Sequence, residues 1–211
     1  MTFASDWLTV FTVGMLAIAT PGPDFALTLR SSLVHSRRAG IYTAVGVCVG
    51  NTIHATYCLV GIGAVISQSI LLFNLLKWIG AGYLIYLGIK SLTAKAVTTS
   101  SCACLDSAAQ DISRLTAFRI GLLGNLLNPK ATLFFLALFT QIVQPATPLA
   151  VKALYGFTVA VLSLVWFALV ATVISKRSLK SYVLLISHWL ERITGGALIF
   201  LGLRLATAEA N

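Results

Sequence analysis

The chain has 211 residues, of which 58% are hydrophobic and only 10% charged, against roughly 25% charged in an average soluble domain. That composition cannot cover a soluble core with polar side chains, so soluble enzymes and binding modules are excluded and lipid is the expected solvent. The formal charge of +9 does not point to a nucleic-acid partner, because the basic residues lie mostly in short connectors between apolar runs, where cytoplasmic loops of membrane proteins concentrate them.

Segments long enough to cross ~30 Å of hydrocarbon predict six spans in an all-α polytopic bundle. Residues 1–7 contain one Asp and no Lys or Arg, so the basic region of a cleavable signal peptide is missing and the first span is expected to stay in the mature protein. That span, Trp7 to Leu29, contains Ala19-Thr20-Pro21-Gly22-Pro23-Asp24-Phe25. Two prolines around a glycine remove backbone donors, so the helix is expected to break there, with Asp24 where a second half-helix begins. A break at membrane depth must face protein or a water-filled cavity, which suits a polar solute or a proton.

The second span, Gly40 to Ile66, carries Asn51 and His54 three residues apart on one face, and a Gly46/Gly50 pair suited to close helix packing. The third is expected over Ile70 to Ile89, with Lys77 near its start. A polar stretch from Lys90 to Arg114, containing Cys102 and Cys104, reads as a central linker (about 93–114) between a first repeat (about 1–92) and a second (about 115–211) of one transmembrane domain. The fourth span, Phe118 to Val143, contains Asn125-Leu126-Leu127-Asn128-Pro129-Lys130. Asn125 and Asn128 share a face, Pro129 interrupts the hydrogen-bond ladder, and Lys130 is an ionisable group in an apolar run. Spans five and six are expected over Ala150 to Ile174 and Tyr182 to Leu205. Glu191 and Arg192 near the start of the last are expected to pair or snorkel.

The halves look alike. Ile79 to Lys90 and Ile193 to Arg204 match at six of twelve positions with a constant offset of 114. A three-span unit inserts its second copy upside down, the inverted plan of many secondary transporters, in which paired Pro-interrupted helices point to the binding site. Ten Lys and Arg fall in one set of alternate connectors and two in the other, which predicts both termini on the periplasmic side. The expected site is therefore Asp24 facing Lys130 at the repeat interface, near the amino and carboxylate groups of a zwitterion. Asn125, Asn128 and the broken backbone at Pro21, Gly22, Pro23 and Pro129 would line it, with Asn51 and His54 as secondary candidates. The alternative is an Asp24–Lys130 ion pair that merely neutralises two embedded charges and locks the halves together.

The Pro21-Gly22-Pro23-Asp24 and Asn128-Pro129-Lys130 motifs and the glycine-rich third and sixth spans resemble the lysine exporter superfamily, most closely its homoserine and threonine efflux branch. The resemblance covers essentially the whole chain. It implies export of amino acids or close derivatives across the bacterial inner membrane by the proton motive force, with no cofactor or metal. The expected partners are an amino-acid substrate, protons as coupling ion and the bilayer, with a homodimer as one assembly to test. Other classes fit less well. An exporter of a non-amino-acid solute shares the architecture. A membrane thiol-disulfide carrier needs one cysteine beside each break, whereas Cys48 and Cys58 both sit in the second span. An intramembrane serine protease needs a Gly-x-Ser-Gly setting, which neither Ser163 nor its would-be partner His188 supplies.

Overall fold

The computed structural model describes residues 3–68, 70–93, 111–142 and 147–174, with helical positions at 189, 192–193, 195–200, 202–203 and 206. Among these residues there is no strand. The elements are α1 (Phe3–Ala19), α2 (Pro23–Arg30) running into a π-helical turn (Ser31–His35), and α3 (Arg37–Gln68). They continue as α4 (Ile70–Leu92), α5 (Arg114–Leu126), α6 (Pro129–Ile142) and α7 (Leu149–Ile174). Both α3 and α7 contain 25 residues long and apolar enough to cross a membrane; the pairs α1–α2 and α5–α6 qualify as well if each is one broken span, giving up to four among the described residues. The first of these pairs is bent by 56° and the second by 57°. α4 coincides with the third expected span. Most of the sixth, residues 94–110 of the linker, Cys102, Cys104, His188, Glu191, Arg204 and the side chain of Lys77 lie outside the described residues.

Helix starts fall earlier than hydropathy suggests, because capping rather than apolarity sets them. Ser36 Oγ accepts the Ala39 N–H at 3.1 Å, so α3 begins with Arg37 and Arg38 inside its first turn instead of at Gly40. Ser113 Oγ likewise accepts the Thr116 N–H at 3.1 Å and opens α5 four residues before Phe118. Short polar side chains at these positions replace the missing intrahelical acceptor. The two starts are also tied together: Asp111 accepts from Ser36 Oγ at 2.7 Å and pairs with Arg38 at 3.3 Å, and the Arg114 guanidinium lies 5.7 Å over the Tyr42 ring. Ser36 and, to a lesser degree, Arg38 hold the Asp111 carboxyl below its ordinary value of 3.8.

Polarity is arranged inside out. Asn51, His54, Asn125, Asn128, Thr43 and Ser163 are buried, whereas Phe157, Val161, Val165 and Leu169 form an exposed stripe four residues apart along α7. A stripe of that kind faces hydrocarbon. Helices in lipid gain little from burying apolar surface against each other, so close backbone approach and dispersion hold them together. α3 is the hub, packing against α2, α4, α5, α6 and α7, and its contact with α5 is backbone on backbone. A Cβ at Gly46 would lie 2.1 Å from Phe118 O, and one at Gly121 would lie 2.0 Å from Thr43 O. Only glycine fits at either place.

A second close contact joins α4 to the helical residues 195–200 and 202–203. A Cβ on Gly88 would meet Gly195 O at 2.7 Å, and one on Gly202 would meet Ala81 O at 2.8 Å. A shift of 114 carries Gly88 to Gly202 and Ala81 to Gly195, so the two contacts exchange with one another. Gly82 and Gly196, also 114 apart, both face open space.

Candidate functional site

Both bent helices break where their sequences remove backbone donors. α1 ends at Ala19 and α2 starts with Pro23 as its first helical residue, whose fixed φ and absent N–H suit that position. Gly22, the N-cap, has φ −169° and ψ −169°, an extended conformation open to any residue. Its lack of a side chain matters for another reason: a Cβ there would lie 3.2 Å from Lys130 Nζ. α5 ends at Leu126, and α6 starts with Pro129, again at the first position. Here the N-cap does have a side chain, and Asn128 Oδ1 accepts the Lys130 N–H at 3.0 Å. Asp24 and Lys130 thus occupy the same place in the two halves, directly after the proline that restarts the helix.

A break leaves the last carbonyls of the preceding helix without intrahelical donors. In each half they are capped from the other half. Lys130 Nζ donates to Ala17 O at 3.3 Å and to Thr20 O at 3.2 Å, closing the end of α1. His54, on α3, donates from Nε2 to Asn125 O at 3.0 Å, adding a second donor to the Asn128 N–H at 2.9 Å at the end of α5. Because a carbonyl only accepts, Nε2 carries a proton, and in the neutral ring Nδ1 then accepts from the Tyr57 hydroxyl. The His54 ring stacks on Phe135 with centroids 6.0 Å apart.

Between the breaks lies a buried amide and carboxylate cluster. Asn125 is completely buried, and its Nδ2 donates to Asp24 Oδ2 and to Asn51 Oδ1, both at 3.0 Å. Gly50 makes room for it, since a Cβ there would lie 2.3 Å from Asn125 Oδ1. Asp24 Oδ1 and Asn125 Oδ1 are buried with no hydrogen-bond partner among the described residues, and such buried acceptors call for a donor from water or ligand.

Asp24, Lys130, Gly22, Pro23, Asn51 and Asn128 line one cavity of about 40 Å³, closed by Ile18, Phe25, Phe134, Phe135, Val159 and Phe167. That is room for about three waters. Of the residues singled out in the sequence, these six share the cavity, whereas Pro21 and Pro129 lie on the far side of the breaks in a neighbouring cavity. Asn125 and His54 stand behind the wall and act on it through hydrogen bonds. Tyr57 was not anticipated, although its position three residues after His54 on one helix face would have identified it. Nor was the Lys130 bond to α1, which no local motif encodes. Among the described residues no three His, Cys, Asp or Glu side chains are grouped to hold a metal ion.

Lipid-facing helices around a polar cavity at two helix breaks define a membrane protein of the solute-translocating kind. The chain belongs to the LysE family: the model for "LysE type translocator" matches residues 15–209. It is 34% identical over 160 residues to the homoserine/homoserine lactone efflux protein of Salmonella typhimurium, covering 75% of each chain. It is also 30% identical over 160 residues to the leucine efflux protein of Klebsiella pneumoniae, covering 75% of this chain and 74% of that one. Over a longer stretch, 198 residues, it is 26% identical to an uncharacterised Escherichia coli membrane protein, YahN, covering 92% and 86%. No solved structure matches the chain.

Proposed function

We propose that the protein is a secondary active exporter of a small amino acid or close derivative, of the threonine, homoserine or neutral aliphatic kind, across the bacterial inner membrane. The observation that carries this reading is the small cavity at the two breaks, with one carboxylate and one ammonium on equivalent positions of opposite halves. A zwitterion is complementary to that pair: its ammonium is drawn to Asp24 and its carboxylate to Lys130. The first turn of α2, whose N-cap has no side-chain acceptor, offers further N–H donors to an anion.

With room for about three waters, the cavity describes the closed state, and substrate is admitted when the half-helices move apart. The paired breaks, their equal bends and the exchanging glycine contacts support two inverted repeats rocking about this site. Positive-inside bias puts the Arg30, Arg38 and Lys90 ends in the cytoplasm and both termini in the periplasm. Protonation of Asp24 on the return step would couple export to the proton motive force.

A second reading has its own observation: Lys130 caps α1, so it is also a clamp between the halves. The two roles combine if an arriving carboxylate draws Lys130 from the α1 carbonyls and so releases the clamp. The test is efflux of preloaded labelled threonine, homoserine, leucine, cysteine and lysine from cells expressing wild type, Asp24→Asn or Lys130→Met at matched membrane levels. Export of at least one by wild type, stopped by either substitution, supports the reading. Equal export by both variants refutes the site, and no export by wild type refutes the substrate class.

A further inference from the structure

The small cavity shares part of its wall with a larger one. On the other side of the breaks, a groove of about 390 Å³ shares Thr20, Gly22, Pro23, Asn128 and Lys130 with it and extends to Tyr83, Tyr86, Lys90 and Ser91 of α4. Its volume falls in the range of small-molecule sites, while the inner cavity holds only about three waters. Tyr83, Tyr86 and Lys90 are three and four residues apart on one face of α4, and the two rings lie 6.0 Å apart. Lys90 is in the last turn of α4, exposed, where a cation is favoured by the helix dipole. Its ammonium makes no hydrogen bond or ion pair to any described residue. Lys130, already held by α1, lines the same groove. Two ammonium groups therefore line one groove, Lys90 exposed and Lys130 at the break, with Tyr83 and Tyr86 beside Lys90 on its face of α4.

We propose that this groove is the cytoplasmic access vestibule and that Lys90 is its carboxylate-binding residue, the outer of two stations through which an amino acid's carboxylate passes to Lys130. The inference rests on the export reading above and adds to it a residue and a chemical group. A positive charge at the mouth of an apolar-walled groove raises the local concentration of anionic groups. The α-ammonium of the substrate, repelled by Lys90, trails toward solvent until Asp24 receives it. Lys90 accordingly discriminates by carboxylate: free amino acids use it, whereas amides, esters and lactones of the same acids bypass it.

The first measurement does not depend on transport. In native membranes, acetylation of Lys90 by a membrane-permeant N-hydroxysuccinimide ester is followed by mass spectrometry with threonine, homoserine, leucine, cysteine or lysine present, or with the amide of each. At a ligand concentration near twice its Kd, at least one free acid slows labelling about threefold while its amide does not. Equal labelling under all conditions overturns the proposal. The second uses inside-out vesicles. Lys90→Gln raises KM for the transported acid roughly fivefold with kcat little changed, Lys90→Arg restores it, and any amide that is carried despite lacking the carboxylate for Lys130 keeps its KM. An unchanged KM, or equal losses for acid and amide, overturns it. Wild-type vesicles that carry no amino acid would refute the export reading instead, and protection at Lys90 then decides this proposal alone.

Discussion

The two broken helices solve one problem by different chemistry. At each, a proline restarts the chain and an ionisable residue follows it, but the first restart has an acid and a bare glycine N-cap whereas the second has a base and an asparagine cap. An acid at a helix start is favoured by the dipole and a base is not, so Lys130 needs compensation. It finds it in the carbonyls at the end of α1. The second break is also more firmly built in, since α5 is locked to α3 through Gly46, Gly50 and Gly121, while Gly14 of α1 has ordinary side-chain contact with Val159 at 3.4 Å. The comparison assigns the tightest helix packing to α5 and the loosest to α1.

The sharpest way to break that comparison is with paired alanines. Gly121→Ala drives a Cβ into the Thr43 carbonyl and forces α3 and α5 apart, and is expected to destabilise by about 3 kcal/mol or more. Gly14→Ala fits and is expected to change stability by less than about 0.5 kcal/mol. Thermal unfolding of the purified proteins in one detergent compares them directly, and similar losses for the two would remove the distinction. Next in size, Asn125→Leu withdraws the donor from Asp24 and Asn51 and leaves a buried carboxylate oxygen unpaired, at a cost of about 3 kcal/mol. Asn51→Leu removes only one acceptor from the same amide and should cost visibly less in the same assay.

His54→Phe preserves the ring on Phe135 but removes one of the two donors to Asn125 O, which keeps the Asn128 N–H, and is expected to cost about 1 kcal/mol. His54→Gln, which can still donate, should recover part of it. Asn128→Ala removes the α6 cap for about 1 kcal/mol, with Asn128→Ser largely restoring the melting temperature. The smallest effect belongs to the latch that Asp111 forms between the starts of α3 and α5. Because Asp111 titrates lower when folded than its ordinary 3.8, its contribution is complete above that value and is lost as pH falls through the folded pKa. Asp111→Asn should therefore leave unfolding at pH 7 slightly easier and flatten the acid limb below pH 3.8; an identical acid limb in wild type and variant would contradict the pairing.

What could be read from the sequence was whatever a single residue forces on its own helix. Pro21, Pro23 and Pro129 cannot donate, so the breaks were legible, and Asp24, Lys130 and the asparagines were conspicuous because polar groups in a membrane need partners. Which partners they find depends on how helices cross, and no local pattern records that. Lys130 was expected opposite Asp24, and its bonds to Ala17 and Thr20 exist only because α6 approaches the end of α1. Hydropathy also misplaced the starts of α3 and α5, where Arg37, Arg38 and Arg114 are too polar to register but Ser36 and Ser113 already cap. The 114-residue offset was visible as similarity, while the exchange of Gly88–Gly195 with Ala81–Gly202 needed coordinates.

The central claim is that Asp24 and Lys130 form one substrate site rather than a structural clamp alone. It is tested most directly by counterflow in proteoliposomes, where exchange of labelled for unlabelled substrate needs binding and alternation but no proton gradient. Wild type, Asp24→Asn and Lys130→Met, each purified with matched folded fractions, would be compared with the amino acid that cells export. The account predicts rapid exchange by wild type and none by Lys130→Met, with Asp24→Asn exchanging slowly at raised KM. Wild-type exchange rates and KM in folded Lys130→Met would contradict it and leave Lys130 as a clamp.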